Sequence, residues 1–104
     1  MSVLTVNKNN FDSVKTSSKP VLLDFYADWC GPCRMVSPLV DEIAEENPQY
    51  LIGKINVDNE PELASAFKVA SIPTLVVIKD GKITHQSAGV KPKEQILALL
   101  DGNA

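Results

Sequence analysis

The sequence predicts an α/β fold built on one central mixed β-sheet with helices on both faces, and three observations carry that expectation. The run Val21–Ala27 is apolar at nearly every position, the pattern of a strand covered on both sides. Strand-like segments alternate with amphipathic or capped helical segments from the N-terminus to about residue 79, which is the order of crossover connections. Asp80-Gly81 then separates two strand-like runs and reads as a two-residue hairpin turn, so the last strand pair is antiparallel.

The elements follow in the order β-α-β-α-β-α-β-β-α. Val3 to Val6 reads as a short edge strand, and Asn10 to Val14 as a short helix capped by Asn9 or Asn10. Val21–Ala27 is the central strand. From Arg34 to about Asn47, Val36, Leu39, Val40, Ile43 and Ala44 recur at helical spacing while Asp41, Glu42, Glu45 and Glu46 fill a solvated face. Pro38 lies inside this helix, costs it one backbone hydrogen bond and is expected to kink it; Pro32 falls in the first turn, where amides have no intrahelical partner to lose. Leu51 to Val57 alternates as a strand, and Asn59-Glu60-Pro61-Glu62 opens a helix reaching about Phe67. Thr74–Lys79 and Lys82–Ala88 flank the hairpin turn. Pro92 starts a last helix with the apolar stripe Ile96, Leu97 and Leu100 and with Gly102 beyond its end.

A chain of 104 residues without repeats or linker-like shifts in composition is one domain, residues 1–104, with enough apolar residues for a core of its own. It is expected to act as a monomer. A net charge of -3 without a basic stripe argues against nucleic-acid partners. The N-terminus lacks the basic and apolar regions of a signal peptide, and no apolar run approaches the ~20 residues that span a bilayer. The expectation is a cytoplasmic protein with no membrane partner, in a compartment where a disulfide is usually transient and catalytic.

Chemistry concentrates in Asp28-Trp29-Cys30-Gly31-Pro32-Cys33-Arg34, between the central strand and the helix that follows. Cys30 and Cys33 are the only cysteines. Three residues apart at the start of a helix, they share a face and can bridge with little backbone movement, so the pair can cycle between dithiol and disulfide. A zinc site would need four ligands, and His85 is the only further donor of the right kind. Covalent haem attachment needs histidine after the second cysteine, where Arg34 stands. A purely structural staple would close too small a loop to stabilise much. No metal is expected.

The run Trp29-Cys30-Gly31-Pro32-Cys33, with Asp24 upstream, Pro38 in the next helix, Ser71-Ile72-Pro73-Thr74 before a strand, and Asp80-Gly81 and Gly89 after it, closely resembles the thioredoxin family over the whole chain. The resemblance implies the thioredoxin fold, a general protein-disulfide reductase acting on disulfide-containing proteins, and re-reduction by a thioredoxin reductase. NADPH then enters only through that reductase, and no cofactor is bound. It further implies Cys30 as nucleophile, Cys33 as resolving thiol, Pro73 as a cis proline beside the dithiol and Asp24 as a buried carboxylate behind Cys33. Tyr26, Ser37 and Val90 depart from residues common in the family.

Several expectations rest on the residues themselves. Cys30 is expected exposed, with unpaired helix amides favouring its thiolate, and Cys33 less exposed, one turn into the helix. Asp24, desolvated in a central strand, has its pKa raised and can take the Cys33 proton; Lys54 in the neighbouring strand is its possible partner. By the resemblance, Trp29, Gly31, Pro32, Ile72, Pro73, Gly89 and Val90 form the expected substrate-binding rim. With the Ile72-Pro73 bond cis as the resemblance implies, Ile72 offers backbone to an extended segment, and Gly89 leaves room for that segment or serves only as a turn glycine.

Overall fold

The structure is a computed structural model that describes residues 3–102. Strands β1 (Val3–Thr5), β2 (Val21–Tyr26), β3 (Leu51–Asn56), β4 (Thr74–Lys79) and β5 (Lys82–Ala88) alternate with helices α1 (Phe11–Lys15), α2 (Cys33–Glu46), α3 (Pro61–Ala66) and α4 (Lys93–Asp101) in the expected order. The five strands form one sheet in the spatial order β1-β3-β2-β4-β5. β2 lies in the middle, parallel to β3 and antiparallel to β4, and the β4–β5 hairpin completes a mixed sheet.

Alternation along the strands builds two cores. Leu22, Ile52, Leu75 and Val77 face α2 and α4, packing on Val36, Val40, Ile43, Ile96, Leu99 and Leu100. Val21, Leu23, Phe25, Val76 and Ile78 face the other way and pack with Val14 of α1, Leu63 of α3 and Phe67. β2 therefore contributes large side chains to both layers, which is why its sequence shows no polar alternation. Asp24 shares the α2 face with Leu22, and it is buried. Helix α4 buries Ile96, Leu99 and Leu100, with Leu97 at the margin, and ends on Gly102 at φ 78°, the left-handed cap that glycine adopts without strain.

Two local details differ from the sequence-based expectation, and a third goes beyond it. Helix α2 begins at Cys33 itself, so the second cysteine opens the helix instead of lying one turn inside it. The entry to α1 is fixed from Asn7: its Oδ1 accepts from the amides of Asn9 (2.8 Å) and Asn10 (3.1 Å), while Asn10 Oδ1 accepts from the Asn7 amide at 2.9 Å. This reciprocal pairing works as a capping box and leaves neither Asn9 nor Asn10 as a simple cap. Gly53 lies in β3 between Leu4 and Leu23. A Cβ at Gly53 would stand 2.6 Å from Val6 Cγ2 and 3.3 Å from Leu23 Cδ2. Glycine is there because the chain leaving β1 packs directly on this backbone.

Gly53→Ala should therefore destabilise the fold by about 1–3 kcal/mol through overpacking. Denaturant midpoints measure it; a loss below about 0.5 kcal/mol, the scatter of neutral substitutions, would show that Val6 yields without cost.

Candidate functional site

The carboxyl ends of β2 and β3 and the amino end of α2 meet at one edge of the sheet. Val57 N–H donates to the Tyr26 carbonyl at 2.9 Å, and Cys30 N–H to the Ala27 carbonyl at 3.2 Å. The chain thus turns tightly out of β2 and presents Trp29-Cys30-Gly31-Pro32 before entering α2. Cys30 and Cys33 form a disulfide, with Cα atoms 5.3 Å apart. The Cys33 amide donates to Cys30 Sγ at 3.2 Å, so a first-turn amide that the helix cannot use is aimed at the first sulfur. Negative charge developing there also meets the positive end of a 14-residue helix.

The expected contrast in exposure is absent. Cys30 is 3% exposed and Cys33 4%. The two residues pack with Ala27, against Tyr26, Val57 and Ile72, and Cys30 Sγ lies 3.8 Å from the Ile72 carbonyl oxygen. Bonded sulfurs also cover one another, so in the disulfide form the asymmetry between them is electrostatic and not steric.

Opposite the dithiol, the Ile72-Pro73 bond is cis. Thr74 Oγ1 donates to the Ser71 carbonyl at 2.6 Å, and the Gly89 amide to the Pro73 carbonyl at 2.8 Å, tying this loop to the end of β5. Gly89 has φ 98°, and a Cβ there would meet nothing within 4 Å. Its backbone conformation is the reason for glycine, as a turn residue requires. Gly31, Pro32 and Val90 are exposed, and half-buried Ile72 packs against the two cysteines. Trp29 is 69% exposed, but its ring is not free: Nε1 donates to Asp58 Oδ2 at 2.8 Å. Asp58 escaped the sequence reading, because the exposed turn after β3 carries no motif of its own.

Behind Cys33 lies a cleft of about 190 Å³ lined by Asp24, Tyr26, Ala27, Asp28, Cys33, Arg34, Ser37 and Lys54. Asp24 is 4% exposed, and its Oδ1 has no hydrogen-bond partner. Its pKa is pushed up from 3.8 to about 7, chiefly because burial strips water from the carboxylate and secondly because Asp41 on α2 repels its charge; Lys54 opposes the rise. Part of the acidic face of α2 therefore acts on the site, although the periodicity shows only a solvated surface. Asp24 and Lys54 are paired in the β2–β3 register. The Lys54 ammonium nevertheless stands over the Tyr26 ring, 5.9 Å from its centroid. Among the described residues it makes no ion pair with Asp24.

A carboxyl whose folded pKa lies above its unfolded value costs no stability while protonated in both states. The penalty enters as pH rises from about 4 and is complete above about 7. Asp24→Asn should thus gain on the parent chain across that window by on the order of 4 kcal/mol, at 1.36 kcal/mol per pKa unit. Paired denaturation curves from pH 4 to 8 test this. A stability difference that stays flat with pH would mean the carboxyl is not held protonated.

Known proteins resemble this chain along nearly its whole length. The family model described as Thioredoxin matches residues 2–102. Thioredoxin of Alicyclobacillus acidocaldarius is 44% identical over 100 residues, covering 95% of either chain. Thioredoxin of Chlamydia pneumoniae is 43% identical over 102 residues, 98% of this chain and 99% of its own. Thioredoxin 1 of Synechococcus elongatus is 48% identical over 89 residues, covering 85% of this chain and 83% of the relative. Among solved structures, a mutant thioredoxin from Halobacterium salinarum superposes with a TM-score of 0.91 at 37% identity, covering 98% of this chain and 90% of that one. Likeness at this level along nearly the whole chain places it in the thioredoxin family, thiol-disulfide oxidoreductases that work through a redox-active disulfide without a bound cofactor.

Proposed function

We propose that this chain, acting as a single-domain monomer, reduces disulfides in other proteins through Cys30 and Cys33 and is itself re-reduced by a thioredoxin reductase that draws on NADPH. The absence, among the described residues, of a helix long and apolar enough to cross a membrane fits work on dissolved substrates, and we assign that work to the cytoplasm. The observation that carries the reading is the pairing of two differently equipped cysteines: a backbone amide on Cys30 Sγ, and a carboxyl with pKa about 7 in the cleft that Cys33 lines.

In the reduced protein the Cys30 thiolate attacks one sulfur of a substrate disulfide. A bond forms between Cys30 and that sulfur, the substrate bond breaks, and one substrate thiolate leaves. The Asp24 carboxylate takes the Cys33 proton, directly or through water, for which the cleft has room. Cys33 then attacks Cys30 Sγ, releases the second substrate thiolate and leaves the Cys30–Cys33 disulfide, the state seen in the structure.

Thiolate population alone explains little of the rate. Lowering a thiol from about 8.5 to about 7, the value characteristic of thioredoxins, raises the thiolate fraction at pH 7 roughly 16-fold, while nucleophilicity falls roughly 6-fold for a Brønsted slope near 0.5. The net gain is about threefold. Most of the advantage must come from aligning the substrate disulfide and from holding the second thiol in place. Trp29, Gly31, Pro32, Ile72, Pro73, Gly89 and Val90 supply the alignment surface: apolar contact from Trp29 and Val90, backbone pairing at Ile72, and an unobstructed approach over Gly31. The Trp29–Asp58 hydrogen bond fixes the orientation of the largest of these contacts.

Cys33→Ser should accumulate a mixed disulfide between Cys30 and a protein substrate, because no thiol remains to resolve it, and should lose turnover with NADPH and thioredoxin reductase by at least about 100-fold. Mass spectrometry of the adduct and the coupled assay check both. Cys30→Ser should form no such adduct; adduct formation through Cys33 at a comparable rate would invert the assigned roles.

A further inference from the structure

We infer that Tyr26 is a positioning residue for the proton acceptor: its ring holds the Lys54 ammonium at the mouth of the cleft and keeps it off the Asp24 carboxyl. The inference rests on Asp24 taking the Cys33 proton, and it adds a device that sets the strength of that base. Asp24 and Lys54 stand directly opposite each other in the parallel register of β2 and β3, and Tyr26, two residues beyond Asp24, projects from the same face of the sheet. A lysine ammonium on that stem has two destinations: down onto the carboxylate, or along the strand over the ring. It takes the second, at 5.9 Å from the centroid, within the range where the ring quadrupole attracts a cation.

The groups facing Asp24 leave little else to satisfy it. From β4 its register partner is the apolar Leu75; from α2, Asp41 adds a like charge. Cys33, Asp28 and Arg34 line the cleft, and the Arg34 guanidinium is engaged with the Asp28 carbonyl at 3.0 Å. Asp24 Oδ1 remains without a hydrogen bond. Among the described residues, Lys54 is therefore the one nearby cation able to convert this carboxyl into an ordinary, permanently ionised ion-pair member, and Tyr26 is the side chain that draws it elsewhere. Consistent with a charge held at a distance, Lys54 is the smallest of the three influences on Asp24.

The test is a double-mutant cycle on the full-length oxidised protein, reading the Asp24 carboxyl titration midpoint by carbon NMR. Tyr26→Leu should lower the midpoint by about half a pH unit or more as Lys54 falls onto the carboxylate. Tyr26→Phe keeps the ring and should leave it unchanged. In a Lys54→Met background Tyr26→Leu should no longer lower it. Should Tyr26→Leu not fold, Tyr26→Met fills similar volume without a ring and gives the same reading. An unchanged midpoint in Tyr26→Leu, or an equal fall with and without Lys54, would overturn the inference, the latter by showing that the ring acts through water exclusion. The two readings separate cleanly: a midpoint that moves through Lys54 while the pH dependence of mixed-disulfide resolution stays fixed upholds the positioning by Tyr26 and removes Asp24 from the proton transfer.

Discussion

Asp24 occupies the middle strand of the sheet, with β3 and β4 hydrogen-bonded on either side and α2 packed across its face, so its carboxyl has given up water without gaining an ion-pair partner among the described residues. In most strands such a group is selected against, because desolvation of a carboxylate is among the larger single penalties a fold can carry. Here the penalty produces a group that changes protonation near neutral pH, opening on the cleft beside the second sulfur. The rest of the site is arranged around that constraint. α2 starts at Cys33, so the sulfur that must lose its proton lines the same cleft as the carboxyl, while the first free amide of the helix serves the other sulfur.

The sheet order explains how a small chain holds this geometry. β2 reads into both cores, so its C-terminal end is anchored by packing above and below. The dithiol turn hangs on that end, and the cis Ile72-Pro73 loop reaches it from the start of β4, the antiparallel neighbour of β2. Gly89 ties the loop to β5 through the Pro73 carbonyl. The segments that pack at the sulfurs, the end of β2, Val57 after β3 and Ile72 before β4, therefore come from adjacent strands of one sheet. Glu42 and Glu46 of α2 meet Lys93 of α4 through ion pairs at 3.0 and 2.6 Å, joining the two helices on that face. These exposed pairs contribute modestly to stability.

Much of this was legible in the residues. A continuous apolar run marks β2 as central because only a strand buried on both sides has no use for polar alternation, and Asp24 inside it stands out for the same reason. Asp80-Gly81 fixes the hairpin through the backbone conformations it favours; Asp80 and Gly81 both adopt positive φ. What escaped notice depends on contacts between segments distant in sequence. Gly53 looks like a weak point in a strand until Val6 is placed against it. Asp41 looks like one more solvated acid until α2 is laid over β2. Asp58 gains a role only when the turn after β3 arrives beneath the Trp29 indole. The burial of Cys30 likewise depends on the neighbouring Ile72 loop, which the local sequence does not encode.

The central claim is that the buried carboxyl, through its own protonation, governs the step performed by Cys33. The most direct measurement forms the mixed disulfide at Cys30 with a substrate peptide at low pH, jumps the pH, and follows peptide release by stopped flow from pH 5 to 9. The account predicts a resolution rate that rises through an inflection near pH 7, the value to which Asp24 is raised, and a profile in Asp24→Asn that lacks this inflection and is slower above it. A parent and a variant with the same inflection and the same rates would contradict it.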